Sequence, residues 1–504
     1  MRTLFGLCGW LLAARVAFVA FALDPQAGSL DLANLRVELA KHVSQEKFRG
    51  AQWGIKVISL ASGASVFEHN ADKLLKPAST AKLFTGALAL DVLGADFRIQ
   101  TSIYASSKPL KGILSGDLIV FGRGDPSFSR EFEPATNVLR RLIQSIREAG
   151  LREVRGDLIT DSTFFTGSRF GTGWTWDDLG YYYGPEITAL AIDDNALELR
   201  IRGSETVGAP CELMAKSAPS SLEIVNRTRT LAPKARGTIN VERSANRNRI
   251  VVFGGVPKAY DSWVETVSIP DAPLWFGDRL KEELARAGIT VTGRVRSIAP
   301  PEDLKTDPSR LVELGRAASP PIGAIVQKMM KASNNFYAQL LLLQVGAKDL
   351  KANPNTGTPP TEELGIRRLM DFAGRAGIPT TDLLLDDGTG LSRSGLVSPR
   401  AIVQLLRYMA THPAKDSFRA SLPEAGTDGT LRPRLKELKG RLWAKTGTLQ
   451  YVNTLAGYLV TVSGEQLAFA MMLNAYAPPV GDKDRDELDT VVRLLARLGE
   501  PSRK

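Results

Sequence analysis

The chain has 504 residues, of which 43% are hydrophobic and 23% are charged, and its formal net charge is +10. The length suggests roughly two to four domains, and the composition excludes a disordered or low-complexity protein. An anionic polymer would suit the positive charge, but the Lys and Arg residues form no dense cluster interleaved with aromatic residues, which argues against nucleic acid as a partner.

Residues 1–22 have the features of a targeting signal. Arg2 supplies the positive start, an apolar run follows, and Ala20-Phe21-Ala22 is a cleavage site of the A-x-A type. No later segment reaches the roughly 18 apolar residues that a membrane helix needs. We therefore expect an exported protein, periplasmic or in the cell-wall space, with no membrane span in the mature chain. Because Cys8 would leave with the signal, Cys211 has no partner for an intrachain disulfide.

The next predicted elements are two strands and a helix. Residues 53–60 alternate and are rich in β-branched side chains, residues 61–64 form a turn, and residues 66–69 return as a second strand. Pro77 suits the entry to a helix, and the apolar run from Ser79 to Leu93 predicts that helix. The same pattern of strands and a helix recurs near the other end, with strands at 442–445, 453–462 and 466–473 and a helix over 488–498.

Ser79 and Lys82 open the first helix three residues apart, so both side chains share one face. A serine hydroxyl is a poor nucleophile until a base removes its proton, and a lysine that burial or a neighbouring cation keeps neutral can act as that base. A second Ser-x-x-Lys, at Ser44-Gln45-Glu46-Lys47, lies on a charged amphipathic segment and indicates a solvated helix face instead.

The middle of the chain, residues 98–301, has a different sequence pattern. Short β-like runs at 117–121, 196–200 and 249–253 alternate with glycine and proline turns, which predicts a β-rich insertion of one or two small domains. The aromatic segment 173–183 favours an inter-domain packing surface over a ligand surface. Residues 23–97 and 302–504 would then form one discontinuous domain.

Two further motifs follow the insertion. Ser333-Asn334-Asn335 interrupts the apolar segment 322–345, so these polar residues either cap a break between two helices or face a polar cleft. Another S-x-N, Ser244-Ala245-Asn246, lies in the insertion. Lys445-Thr446-Gly447-Thr448 lies on a predicted strand, where the glycine lets a ligand backbone approach the strand edge. Its lysine and two hydroxyls offer charge and hydrogen bonds to a carboxylate.

With these three motifs in this order, the chain resembles the penicillin-recognising serine transpeptidases and β-lactamases. The long insertion between the first two motifs is similar to that of the class C low-molecular-weight penicillin-binding proteins, the D-alanyl-D-alanine carboxypeptidase/endopeptidase family. The resemblance implies an α/β (α+β) transpeptidase-like domain, with an antiparallel sheet flanked by helices. Further matching segments are Gly124-Asp125-Pro126, Asp387-Gly388-Thr389-Gly390-Leu391-Ser392-Arg393 and residues 422–431.

The resemblance also implies acyl transfer without a metal or other cofactor. Ser79 would attack the penultimate D-alanine of a peptidoglycan stem peptide, and Lys82, with Lys445 holding its pKa down, would accept the proton. The resemblance also implies that Ser333 and Asn335 relay protons and that Thr446 and Thr448 bind the substrate carboxylate. It implies an oxyanion hole formed by the N–H groups of Ser79 and Thr448, with Gly447 at the strand edge. β-Lactam antibiotics would act as covalent inhibitors.

Three alternatives are open at this point. A β-lactamase would use the same residues and differ in how fast it deacylates. A non-catalytic cell-wall binding protein would use the insertion as its working part. A histidine-based serine hydrolase is poorly supported, because the three histidines are scattered and no G-x-S-x-G nucleophile elbow is present.

Overall fold

The computed structural model describes residues 30–129, 132–215, 218–219, 221–243, 248–258, 260, 262–299, 307–349, 359–477 and 484–499. The segment predicted as a targeting signal and the second S-x-N, at 244–246, lie outside the described residues. The other Ser-x-x-Lys does not form a pair: Ser44 Oγ donates to the Lys41 carbonyl, while Lys47 binds Glu487.

The α-helices of the described residues are α1 Leu32–Val43, α2 Lys82–Val92, α3 Ala135–Glu148, α4 Ala272–Arg286, α5 Ile322–Ala332, α6 Asn335–Ala347, α7 Thr361–Arg375, α8 Pro399–Thr411, α9 Lys415–Ser421 and α10 Asp484–Ala496. None of them is long and apolar enough to cross a lipid bilayer.

The strands of the described residues are β1 Gln52–Ser59, β2 Ser65–His69, β3 Gln100–Ala105, β4 Ile113–Leu114, β5 Leu118–Phe121, β6 Glu153–Val154, β7 Leu158–Asp161, β8 Ala196–Arg202, β9 Glu212–Ala215, β10 Glu223–Leu231, β11 Thr238–Arg243, β12 Arg249–Pro257, β13 Trp263–Ser268, β14 Thr290–Val291, β15 Val295–Ile298, β16 Val312–Ala318, β17 Leu383–Leu384, β18 Leu396–Val397, β19 Leu442–Leu449, β20 Val452–Val460 and β21 Gln466–Asn474.

An antiparallel sheet of the order β19-β20-β21-β1-β2 joins the two ends of the chain. Its middle strand, β21, is buried on both faces, and successive side chains of a strand point to opposite faces. Leu467, Phe469 and Met471 pack in the core that contains α1 and α10. Ala468 and Ala470 pack in the core that contains α2, α5, α6 and α8. The sheet is therefore covered by helices on both sides, and the predicted fold class is confirmed.

The insertion is rich in β-structure, as predicted, and also contains α3 and α4. Its largest sheet has the order β15-β7-β5-β3-β16, in which β5, β7 and β15 run parallel. Parallel neighbours need a crossover connection, usually a helix, which accounts for α3 between β5 and β7. Three three-stranded sheets, β10-β12-β11, β13-β8-β9 and β14-β6-β4, complete the insertion. Strand β16 follows residue 301 and so lies outside the predicted insertion, but it pairs with β3 inside it. The domain boundaries stay a prediction.

Candidate active site

Ser79 lies in a tight 3-10 turn, Ala78–Ala81, directly before α2 begins at Lys82. We call Ala78–Ala81 the nucleophile turn. The predicted helix therefore exists, but its first turn is tighter than α. Ala78 has φ 47, in the left-handed region that a residue with a Cβ rarely adopts. Thr80 Oγ1 and Thr454 Oγ1 both donate to the Pro77 carbonyl, at 2.6 and 2.8 Å, and these bonds hold the turn in place.

The Lys82 amine is fully buried and has three partners. Its Nζ lies 2.8 Å from Ser79 Oγ, 2.6 Å from Asn335 Oδ1 and 2.9 Å from the Thr389 carbonyl oxygen. The orientation of the Asn335 amide is fixed, because its Nδ2 donates to the Tyr183 carbonyl at 2.8 Å. Asn335 Oδ1 and the Thr389 carbonyl only accept hydrogen bonds, so they take both N–H groups of a neutral amine. The nitrogen lone pair is then left for the Ser79 hydroxyl.

Burial favours the neutral form of the Lys82 amine. Desolvation lowers the pKa of Lys82 to about 7, against the opposing attraction of the Asp387 carboxylate. Desolvation, and after it repulsion from Lys82, holds the pKa of Lys445 well below its ordinary value. Two charged amines in one buried site are unfavourable, so the site favours losing a proton. Burial is the largest cause for both lysines. Repulsion adds to the lowered pKa of Lys445, whereas for Lys82 the second cause is the Asp387 carboxylate rather than the repulsion from Lys445 that the resemblance implied.

The S-x-N motif lies at the break between α5 and α6. Ser333 ends α5 with φ 59, and the Asn334 side chain caps α6 by accepting from Tyr337 N at 3.1 Å. Asn334 Nδ2 also donates to Asp194 Oδ2 of the insertion at 3.0 Å. Both alternatives left open by the sequence therefore hold, because the same three residues form a helix cap and line a cleft.

Lys445 lies on β19, which is an edge strand of the central sheet. Its buried Nζ donates to Ser333 Oγ and to the Thr446 carbonyl, both at 2.7 Å. Thr446 Oγ1 donates to Thr430 Oγ1 at 2.8 Å, whereas Thr448 is exposed at the strand end. The Ser79, Ser333 and Lys445 segments thus meet in one place.

Gly447 brings β19 against the nucleophile turn. A Cβ at this position would lie 2.2 Å from Thr454 Oγ1 and 2.9 Å from Ser79 N. No side chain fits there, so only glycine allows the strand to approach the backbone N–H of Ser79 this closely. The approach brings the Ser79 N–H close to the part of β19 that continues into Thr448.

A cleft of about 840 Å³ surrounds these groups. The aromatic segment 173–183 contributes Tyr182 and Tyr183 to its wall, together with Asp177 and Asp178. Trp174 of the same segment packs against the helical core. The interpretation of this segment as a packing surface rather than a ligand surface was therefore only half right. The two adjacent aspartates between the tryptophans and the tyrosines of this segment were the available signal.

Several residues at the site were not predicted from the sequence. Thr430, Thr389 and Asp387 belong to segments that carried the resemblance, but no chemistry was assigned to them. Tyr183 contributes a backbone carbonyl, which side-chain patterns do not reveal. Within the described ranges, no group of three or more His, Cys, Asp or Glu side chains is placed to hold a metal ion.

The fold and the meeting of the three motifs define the class as the penicillin-recognising serine enzymes. The chain belongs to the D-Ala-D-Ala carboxypeptidase 3 (S13) family, whose profile matches residues 35–497. The family expected from the motifs is therefore confirmed.

Individual relatives match along most of the chain. A D-alanyl-D-alanine carboxypeptidase of Actinomadura sp. (strain R39) is 32% identical over 487 residues, which cover 94% of this chain and 86% of the relative. The D-alanyl-D-alanine carboxypeptidase DacB of Haemophilus influenzae is 26% identical over 471 residues and 92% of each chain. A crystal structure of penicillin binding protein 4 (dacB) from Haemophilus influenzae matches with a TM-score of 0.76 at 25% identity and covers 92% of this chain and 98% of that one.

Proposed function

We propose that the protein is a serine-type D-Ala-D-Ala carboxypeptidase that cleaves peptidoglycan stem peptides through an acyl-enzyme on Ser79. The observation that carries the proposal is the hydrogen bonding of Lys82. Its two acceptor-only partners leave the lone pair of the neutral amine facing the Ser79 hydroxyl, 2.8 Å away. A nucleophile within hydrogen-bond distance of a base with a pKa of about 7 is the arrangement that acyl transfer at neutral pH needs.

Acylation begins when Ser79 Oγ attacks the carbonyl carbon of the penultimate D-alanine, while its proton moves to Lys82 Nζ. The backbone N–H groups of Ser79 and Thr448 stabilise the negative oxygen that forms. As the C–N bond breaks, the leaving amine takes a proton that Lys82 and Ser333 supply. Ser333 suits this role because its hydroxyl contacts the second amine, Lys445, at 2.7 Å. The products are free D-alanine and an ester on Ser79.

The substrate binds as an additional strand on the free edge of β19. Backbone hydrogen bonds along an edge strand give affinity, and flanking side chains give specificity. Thr446 and Thr448 bind the terminal carboxylate, and Lys445 attracts it. Asn335 binds Lys82 through Oδ1 and lines the cleft, and the second N–H of its Nδ2, beside the one on the Tyr183 carbonyl, holds the peptide.

Water then hydrolyses the Ser79 ester, and Lys82 takes a proton from that water. A peptide cross-link whose carbonyl belongs to a D-alanine presents the same bond, so we extend the proposal to D,D-endopeptidase cleavage. A β-lactam presents a strained amide to the same serine and forms a covalent adduct. Because the proposed substrate is peptidoglycan, we also propose that the protein acts in the periplasm or cell-wall space.

The test measures D-alanine released from a peptide that ends in D-Ala-D-Ala, for the wild type and Ser79→Ala. We expect release that Ser79→Ala abolishes, while both proteins unfold at similar temperatures, since Ser79 is partly exposed. Equal release by both proteins would overturn the proposal. The lifetime of a fluorescent penicillin adduct separates the alternatives: a long-lived adduct supports the carboxypeptidase, and rapid turnover identifies a β-lactamase. Peptidoglycan retention without release of D-alanine identifies a non-catalytic binding protein.

A further inference from the structure

The carboxylate of Asp387 is completely buried, lies near Lys82, and has no part in the proposed chemistry. A buried charge needs partners, and Asp387 has three donors. The indole Nε1 of Trp174 donates to Oδ2 at 2.9 Å, and the Gly390 N–H donates to Oδ1 at 2.9 Å. The Thr389 hydroxyl also donates to Oδ2.

These bonds connect Asp387 to the base through a single residue. Thr389 donates its hydroxyl to Asp387 and offers its carbonyl oxygen to Lys82 Nζ at 2.9 Å. Asp387 thereby fixes the acceptor that takes one N–H of the neutral amine. If Thr389 turned away, the lone pair of Lys82 would no longer be directed only at Ser79.

The same turn also supports the backbone at the nucleophile. Gly390 has φ +75, and a Cβ on it would lie 1.9 Å from the Ala78 carbonyl oxygen. The Gly390 backbone, which Asp387 holds by its N–H, therefore packs directly on the strained residue before Ser79. Trp174 adds a link to the insertion, so one carboxylate connects the insertion, the base and the nucleophile turn.

We propose that Asp387 is a positioning residue that orients Lys82 through Thr389 and serves as the buried counter-charge of its ammonium form. The inference deepens the proposed function and rests on Lys82 acting as the base there. By stabilising the ammonium, Asp387 keeps the amine able to hold the proton it takes from Ser79. Burial alone would make Lys82 too weak a base to retain that proton.

The other charged groups around this pair are few among the described residues. Lys445 faces Lys82 from β19 and opposes its charge. Asp386 and Glu362 lie near Asp387, and the Asp387 charge contributes to the raised pKa of each. Glu362 accepts hydrogen bonds from Thr172 and Gln339, and it does not contact Thr389. It therefore offers a matched control: a part-buried carboxylate in the same region whose hydrogen bonds reach the Asp387 loop only through Gln339 and the Gly388 N–H.

The test is the pH dependence of the rate at which a fluorescent penicillin acylates the protein. For the wild type we expect the rate to rise as Lys82 loses its proton. Asp387→Asn removes the negative charge, so the ammonium is less stable and the rise should shift to lower pH by about 1 unit, the low end for a nearby opposite charge. The rate on the alkaline plateau should fall, because Asn cannot accept from all three donors.

Two further variants separate the effect of the Asp387 charge from the effect of its hydrogen bonds. Trp174→Phe removes one hydrogen bond and keeps the charge, so it should slow acylation without shifting the rise, and Glu362→Gln should leave the position of the rise unchanged.

If Asp387→Asn does not fold, Asp387→Ser tests the same point, because it also removes the charge and leaves space for water. A rise at the wild-type pH in the neutral variants overturns the inference alone. A wild type that is not acylated, or whose rate does not rise with pH, overturns the proposed function itself.

Discussion

Lys82 shows how a single residue can be costly for the fold and necessary for the chemistry. Its amine is fully buried, and the Asp387 carboxylate acts on it by its charge and through Thr389 rather than by a direct hydrogen bond. Burying an ammonium without a directly bonded counter-ion costs free energy, which appears here as a pKa lowered to about 7. The same cost is what leaves a free lone pair beside Ser79 at neutral pH.

Replacing Lys82 by Met tests this trade-off, because the side chain keeps nearly its volume and loses only the amine. We expect acylation to fall about 10²–10⁴-fold, the usual contribution of a general base. The free energy of unfolding at neutral pH should equal or exceed that of the wild type. Denaturant unfolding and penicillin labelling of the same samples measure both quantities.

The pH dependence of that stability difference has a definite sign. The pKa of Lys82 lies at about 7 in the folded protein, below the value of 10.5 for an unperturbed lysine. Between these two pH values the unfolded chain binds more protons, so the free energy of unfolding of the wild type rises with pH. The advantage of Lys82→Met should therefore shrink from neutral to alkaline pH. A variant that is less stable than the wild type at neutral pH, or whose stability relative to the wild type increases as pH rises, contradicts this account.

At the scale of elements, the break between α5 and α6 depends on a residue in an unfavourable conformation. Ser333 has φ 59, and its hydroxyl receives the Lys445 amine at 2.7 Å. Ser333→Gly and Ser333→Ala both remove this hydroxyl, but only glycine adopts the left-handed conformation freely. Release of D-alanine should fall in both, whereas Ser333→Ala should also lose about 1 kcal/mol of stability relative to Ser333→Gly. Equal activity of Ser333→Gly and the wild type would show that the hydroxyl has no part in proton relay.

The contact between β19 and the nucleophile turn depends on Gly447. In Gly447→Ala the new Cβ would meet Thr454 Oγ1 and Ser79 N, so the strand must move away from the turn. Displacing one oxyanion donor costs about 10²–10³ in rate, and we expect acylation by penicillin to fall by this factor. Gly374→Ala is the control, because a Cβ on this α7 residue would have no atom within 4 Å. Acylation of Gly447→Ala at the rate of the control would contradict the proposed oxyanion hole.

The sequence was informative where structure is local. Residues three apart at a helix start must share a face, so Ser79 and Lys82 could be paired from spacing alone. The alternation noted at residues 53–60, which form most of β1, and the spacing of α10 likewise predicted the central sheet and its covering helix. The tight first turn was not predictable, because it is held by Thr454 from β20, far away in the chain.

At the scale of the whole molecule, the insertion contributes directly to the site. Tyr183 accepts from Asn335, Asp194 accepts from Asn334, and Trp174 donates to Asp387. Each contact joins a segment of the insertion to a motif on the other side of the cleft. Such pairs depend on tertiary packing between residues far apart in sequence, which is why composition and periodicity in 98–301 indicated only a β-rich insertion. The three motifs were recognisable because their chemistry is confined to a few neighbouring positions.

The central claim is that three distant segments meet so that Ser79 becomes the acylated nucleophile. The most direct measurement is mass spectrometry of the intact protein after brief exposure to penicillin, followed by proteolysis to locate the added mass. We predict one added penicillin per chain, on the peptide that contains Ser79, and none in Ser79→Ala. An adduct on another residue, or an unmodified protein that still releases D-alanine from the peptide substrate, would contradict the account.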